Sequence, residues 1–254
     1  MKNSANQNNN NMDKRIALGI ACIYFILTLS CYSIVAEFLK IYHKINSHTI
    51  FTTIIGLIIL AIIYLIMIKQ MKIPLYNCGF NLKNWKSYTV YSIIVSIIFC
   101  LFMTLIKYLF ILNYQLPDHP SVFEFGVLVK EGLDYHKDPY IILLYILGYS
   151  VFVPIQSFIA NGALQSVMID FIKSKYASII SIFSSAIFFA AIHTQLDIIY
   201  AIAMFLPGFL WAYIYAKQRS LLGVSISHII VGNYAFFVLG FDHFIAELHY
   251  VAGF

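Results

Sequence analysis

Charge is scarce in this sequence. Only 11% of its 254 residues are Asp, Glu, Lys or Arg, whereas 61% are hydrophobic, and the mean hydropathy is +0.82. Soluble domains carry about 25% charged residues, so this composition excludes a soluble globular enzyme and a disordered chain alike. Arginine is nearly missing, with Arg15 and Arg219 alone, and the formal net charge of +5 is spread along the chain. A nucleic-acid partner is therefore not expected, because a phosphate-binding face needs clustered Lys and Arg. The four cysteines, Cys22, Cys31, Cys78 and Cys100, show neither metal-ligand spacing nor a disulfide framework. They read as small apolar residues. No metal site and no cofactor is expected. There is no internal repeat and no sharp shift in composition. Residues 13–254 read as one membrane domain, preceded by an Asn-rich tail over residues 1–12 that reads as disordered.

Long apolar runs are what the chain does have. A spanning helix needs about 20 predominantly apolar residues, and seven runs qualify: Ile16–Ala36, Thr49–Ile68, Ser87–Leu112, Tyr140–Ala160, Tyr176–His193, Leu196–Ala216 and Leu221–Gly240. The expected fold class is an all-α, polytopic integral membrane bundle of about seven transmembrane helices, within a range of six to eight. The first run is too long for a cleaved signal peptide and reads as a signal anchor. The fourth is expected to continue as a helix to about Ile172 and to bend at Pro154, which lacks a backbone donor. The segment Lys69–Lys86 reads equally as an inner-surface helix or a solvated loop. The segment Ser121–Val129 adds an eighth span if it re-enters the bilayer.

The basic residues orient the bundle. With a cytoplasmic N-terminus, eleven of the sixteen Lys and Arg fall on inner segments and four on outer ones, leaving Lys107 within the third span. This bias predicts N-inside, C-outside topology. The 14 Lys against two Arg, with abundant Ile and Asn, point to an AT-rich bacterial genome and hence to the bacterial inner (cytoplasmic) membrane. The lipid bilayer is the first expected partner.

Polar side chains within spans are functional candidates, because lipid cannot satisfy them. They collect at four places: Gln156, Ser157 and Asn161 on the fourth helix; Phe189-Ala-Ala-Ile-His193, followed by Gln195 and Asp197; Pro207-Gly208 on the sixth; and Ser225, Ser227, His228, Gly232 and Asn233 on the seventh. Ser157 and Asn161 share a helix face; interhelical hydrogen bonding explains them equally well. His228 lies nine residues after Arg219, about 13 Å into the membrane, where it needs a partner or a polar pocket. Asp242, His243 and Glu247 read as the solvated end of a helix. Nothing around Ser157 resembles the tight Gly-rich turn of a nucleophilic serine.

Together these positions resemble the CPBP family, the CAAX-protease and bacteriocin-processing intramembrane proteases. That family has Glu-Glu-x-x-x-Arg followed by Gly on one helix, then Phe-x-x-x-His, a Gly-containing helix ending in a basic turn, and His-x-x-x-Asn or a variant. Here Pro154-Ile-Gln-Ser-Phe-Ile-Ala-Asn-Gly-Ala-Leu-Gln165, Phe189–His193, Pro207–Leu221 and Ser225-Ile-Ser-His228 stand in the same order over about residues 140–240. The resemblance implies a CAAX-protease-like core. It also implies peptide-bond hydrolysis in which the first Glu activates water, the Arg pairs with acid, the histidines orient water, and the last His and Asn stabilise the oxyanion. The motif positions here are Gln156, His193 and His228 for catalysis, and Ser157, Asn161 and Asn233 for binding.

The departures are specific. Gln156-Ser157 replaces Glu-Glu, Asn161 replaces Arg, and Gly232 stands where Asn is expected, with Asn233 one place on. Glutamine cannot take a proton near neutral pH, and losing a general base removes about 10²–10⁴-fold of rate. Losing acid and arginine together avoids an unpaired buried charge. The resulting expectation is a relative with peptidase activity lost or reduced, which binds a membrane protein or peptide in the former cleft. A first alternative is an active endopeptidase with an altered site, its base supplied by a residue such as Asp197. A second is a small transporter-like bundle, with Pro154 and Pro207 marking broken helices and Lys107 as a coupling charge, unless it simply snorkels.

Overall fold

The structure is a computed structural model that describes residues 16–28, 30–31, 34, 48–114, 116, 121–125, 129–130, 133–134, 139–194 and 198–252. The tail 1–12 and Asp197 lie outside the described residues. Each of the seven apolar runs falls on a helix. These are α1 (Ile16–Thr28), α2 (His48–Gln70), α3 (Trp85–Asn113), α4 (Pro139–Ser157), α6 (Ala177–Ala191), α7 (Ile198–Gln218) and α8 (Leu221–Phe237). A π-helix over Phe158–Gln165 joins α4 to α5 (Ser166–Phe171), and the chain closes with α9 (Phe241–Ala252). Among the described residues one antiparallel pairing, β1 (Val129–Lys130) with β2 (Leu133–Asp134), lies between α3 and α4. The all-α membrane bundle expected from composition is what is observed. Among the described residues three helices are long and apolar enough to cross a membrane: α3, the run Ile142–Phe171 and α7. The pair α8 and α9, bent by 63°, raises this to four, while α1, Ile55–Gln70 and α6 are shorter apolar helices.

The lipid-facing and packed sides are divided by size and polarity. α3 exposes Val90, Ile94, Ile97, Ile98, Leu101 and Leu105, and turns a stripe of Ser92, Ser96, Cys100 and Lys107 inward. That stripe meets α8: Ser96 Oγ donates to Ser227 Oγ at 2.8 Å, and Thr104 Oγ1 and Tyr234 Oη share a 2.6 Å bond. α6 packs on α7, and α8 packs on α3, α4 and α7.

Two expectations need correction, and a third is made specific. The segment Lys69–Lys86 exposes Leu75, Tyr76, Phe80, Leu82 and Trp85, as an apolar surface segment does. Its 3-10 turn, Leu75–Cys78, plugs one end of the bundle with the buried Cys78, where the Asn77 carbonyl accepts from Ser166 Oγ at 2.5 Å and Tyr215 Oη at 3.2 Å. Burial pushes the Cys78 thiol up to about 11, consistent with an inert packing role. Lys107 does not snorkel. It is 2% exposed, lies 3.3 Å from Glu124 and donates to the Leu239 carbonyl at 2.6 Å. His243 and Glu247 are not a solvated helix end, since His243 Nδ1 meets Glu124 at 3.1 Å and its Nε2 faces Glu247 at 3.7 Å. Ser121–Phe125 tucks against the α8–α9 corner, with the Glu124 amide donating to the Val238 carbonyl at 2.9 Å.

The π-helix is held to that plug by a glycine. A Cβ at Gly162 would lie 2.8 Å from the Cys78 carbonyl oxygen and 3.1 Å from Leu221 Cδ2. Gly162→Ala is therefore expected to cost about 1–3 kcal/mol by overpacking, read as a lowered midpoint of thermal unfolding in detergent. An unchanged midpoint would mean that the plug yields freely.

Candidate functional site

The site is built where α4 runs into the π-helix. Pro154 removes a backbone donor from the last turn of α4. Four residues later the hydrogen-bond register widens to π, an irregularity often found at functional sites. Residues 158–165 are buried throughout, so the polar side chains among them must be satisfied internally. Asn161 Nδ2 donates to Gln165 Oε1 at 2.8 Å and to Ser185 Oγ at 3.2 Å. Gln165 Nε2 donates to the Ala212 carbonyl at 2.7 Å, and Ser185 Oγ to the Ala160 carbonyl at 3.1 Å. This neutral network ties the π-helix to α6 and α7. Asn161 is thus engaged within the scaffold.

Beside the network lie the two histidines. His193, just past α6, donates from Nδ1 to the Phe189 carbonyl at 2.6 Å. A carbonyl only accepts, so Nδ1 carries a proton, and in the neutral ring Nε2 keeps a lone pair. His228, on α8, shares a 3.3 Å bond through Nδ1 with Ser157 Oγ. Its ring stacks on Trp211 at 3.6 Å and 24° and meets the edges of Phe189 at 5.6 Å and Tyr149 at 6.0 Å. The Phe189 ring also contacts His193, at 4.7 Å. It rests on Gly208, where a Cβ would come within 3.1 Å of Phe189 Cδ1. The two histidines, which differ in depth by residue counting, therefore flank one phenyl ring.

The remaining motif positions are arranged around this pair. Gln156 is half-buried on α4, and no described residue hydrogen-bonds its amide. Asn233 donates to Ser150 Oγ at 3.2 Å and to the Ile229 carbonyl at 2.8 Å, and its Oδ1 is buried without a partner. Trp211 Nε1 is likewise buried and unpartnered. Among the described residues no carboxylate hydrogen-bonds either histidine, and no group of His, Cys, Asp and Glu could hold a metal ion. Acidic side chains are paired elsewhere: Glu124 and Glu247 around His243, and Asp170 with Arg219 at 2.9 Å.

Residues 138–233, from the start of α4 to Asn233, match the family model described as type II CAAX prenyl endopeptidase Rce1-like. This region is Rce1-like. The chain is a membrane protein related to the CAAX proteases, as the motif order over residues 140–240 implied. No curated protein and no solved structure matches it.

Within the Rce1-like region, sequence reasoning passed over Tyr149, Gln165, Ser185 and Trp211. Gln165 and Ser185 carried a usable signal, being polar residues in apolar segments. Tyr149 and Trp211 carried none, because aromatic residues are ordinary in such helices. Gly232 was read only as a lost Asn. In the fold, a Cβ at that position would fall on the Tyr149 hydroxyl.

Proposed function

We propose that the chain is a non-catalytic relative of the CAAX proteases that binds a peptide segment of a membrane partner at the histidine pair. One observation carries this reading. The residue at the acid position of the motif is Gln156, and among the described residues no carboxylate hydrogen-bonds His193 or His228. The neutral bonding of Asn161 with Gln165 and Ser185 supports it, since the scaffold is complete without a charge pair. We assign the protein to the bacterial inner membrane with the N-terminus in the cytoplasm, a placement supported by the distribution of lysines.

The test compares newly formed N-termini of membrane proteins in cells carrying the wild type, His193→Ala, His228→Ala or no copy. Identical profiles are expected at equal expression, together with loss of the partner's cross-link in both variants. Termini that appear only with the wild type would overturn the reading. They would favour a second one, active endopeptidase, which one observation recommends: the lone pair on neutral His193 Nε2 is itself a base that can accept a proton from water.

A further inference from the structure

We propose that Tyr149 is the ligand-contacting donor of this site: its hydroxyl donates to the carbonyl of a bound, uncharged backbone amide, and His193 Nε2 accepts from an N–H of the same peptide. This rests on the peptide-binding reading and specifies its chemistry.

Tyr149 and Gln156 lie seven positions apart on α4 and so share a face. Both are half-buried, so the site is open on their side. The Tyr149 ring is held edge-on against His228 at 6.0 Å and against Phe236 at 5.6 Å. Its hydroxyl lies over Gly232, in space that any side chain there would fill. No described residue hydrogen-bonds that hydroxyl. A phenol in a membrane bundle ordinarily finds a partner; here the fold clears room for the group and gives it none. Trp211, whose ring stacks on His228, keeps Nε1 buried and unpartnered among the described residues, and the Gln156 amide and the lone pair on His193 likewise have no described partner. Buried polar groups are nearly always satisfied, so this collection of donors and acceptors is the imprint of something polar. Tyr149, Trp211 and Gln156 carry no charge near neutral pH, so a charged ligand would lack compensation in a low-dielectric setting. A backbone amide offers one acceptor and one donor without charge, which matches the set.

The chain contains two tryptophans, and Trp85 is exposed at the start of α3. In a Trp85→Phe background, Trp211 alone reports on the site through its emission. The probe is the uncharged pentapeptide acetyl-Leu-Leu-Gly-Leu-Leu-amide, titrated into the full chain in nanodiscs, with its N-methylated analogue and n-tetradecane as comparisons. A saturable emission change is expected with the peptide. Tyr149→Phe should weaken binding about three- to tenfold, as loss of one hydrogen bond does, and Gly232→Ala, which displaces the hydroxyl, should do the same. N-methylation should weaken binding similarly. An equal response to tetradecane, or a response indifferent to Tyr149→Phe and to N-methylation, would overturn the inference, as would no response at all. Mass spectrometry of the same samples separates the two readings. Cleaved probe would sink the non-catalytic function and leave amide recognition standing. Intact probe that never binds would sink amide recognition alone.

Discussion

Lys107→Met is expected to destabilise the folded chain by about 3–5 kcal/mol, the usual cost of breaking a buried pair and stranding one charge. Lys107 and Glu124 are nearly sealed, with side chains 3% and 8% exposed. Around them stand His243, Glu247 and the Leu239 carbonyl. Without Lys107, the described side chain left beside Glu124 is His243, which also faces Glu247. The double variant Lys107→Met with Glu124→Gln removes both charges and should recover most of the loss, because a neutral amide in that position has no uncompensated charge. Thermal unfolding in one detergent, for wild type, both single variants and the double, gives the coupling between the two positions. Additive effects would show that the pair is not an energetic unit. The same pairing weakens the transporter-like alternative, since Lys107 already has a structural occupation in the corner between α3, α8 and α9.

Gly79→Ala is the second large effect, expected at about 2–5 kcal/mol. Gly79 ends the 3-10 plug at φ 88°, a left-handed conformation that costs an L-residue about 1–3 kcal/mol where it must be held. Space adds to the strain. A Cβ at Gly79 would sit 2.8 Å from Tyr215 Cε2 and 3.0 Å from the Leu221 amide nitrogen. The second neighbour is backbone, and it cannot swing away, because the Leu221 N–H donates to the Gly79 carbonyl at 2.9 Å. Overpacking of this kind costs about 1–3 kcal/mol on its own. Gly148→Ala is the internal comparison: it lies within α4 with nothing within 4 Å of its Cβ position. There alanine should be neutral or stabilising by up to about 1 kcal/mol through helix propensity. Similar unfolding midpoints for the two alanine variants would show that the plug contributes little.

The contrast between these sites shows what the sequence made legible. Apolar runs announce helices because a spanning segment has to be apolar for its whole length, and all seven land on helices. The order of Gln156, His193 and His228 announced the Rce1-like core, since the spacing between motifs is set by helix lengths that the membrane dictates. Packing against distant segments was not legible. The stretch Lys69–Lys86 reads equally as a surface helix or a solvated loop, and nothing in it announces that its Asn77 carbonyl is bonded by both Ser166 and Tyr215. Lys107 looked like a snorkelling end, because Glu124 belongs to a loop whose return to the bundle leaves no periodic trace. In the site, residues already polar in an apolar context were found, and Tyr149 was not, because an aromatic ring in a membrane helix signals nothing until its neighbour proves to be glycine.

The partnership of α3 with α8 bears on how the chain is made. Ser96, Thr104 and Lys107 meet their partners Ser227, Tyr234 and Leu239 at separations of 131, 130 and 132 residues. At ribosomal speeds of roughly 5–20 residues per second, α3 is complete on the order of ten seconds before the surface that satisfies it exists. Throughout that interval Glu124 is the one partner already available to Lys107, while Ser96 and Thr104 await theirs. A chain cut short before Leu221 therefore leaves the Lys107–Glu124 pair without the Leu239 carbonyl, and α3 without the surface of α8 that covers its polar stripe.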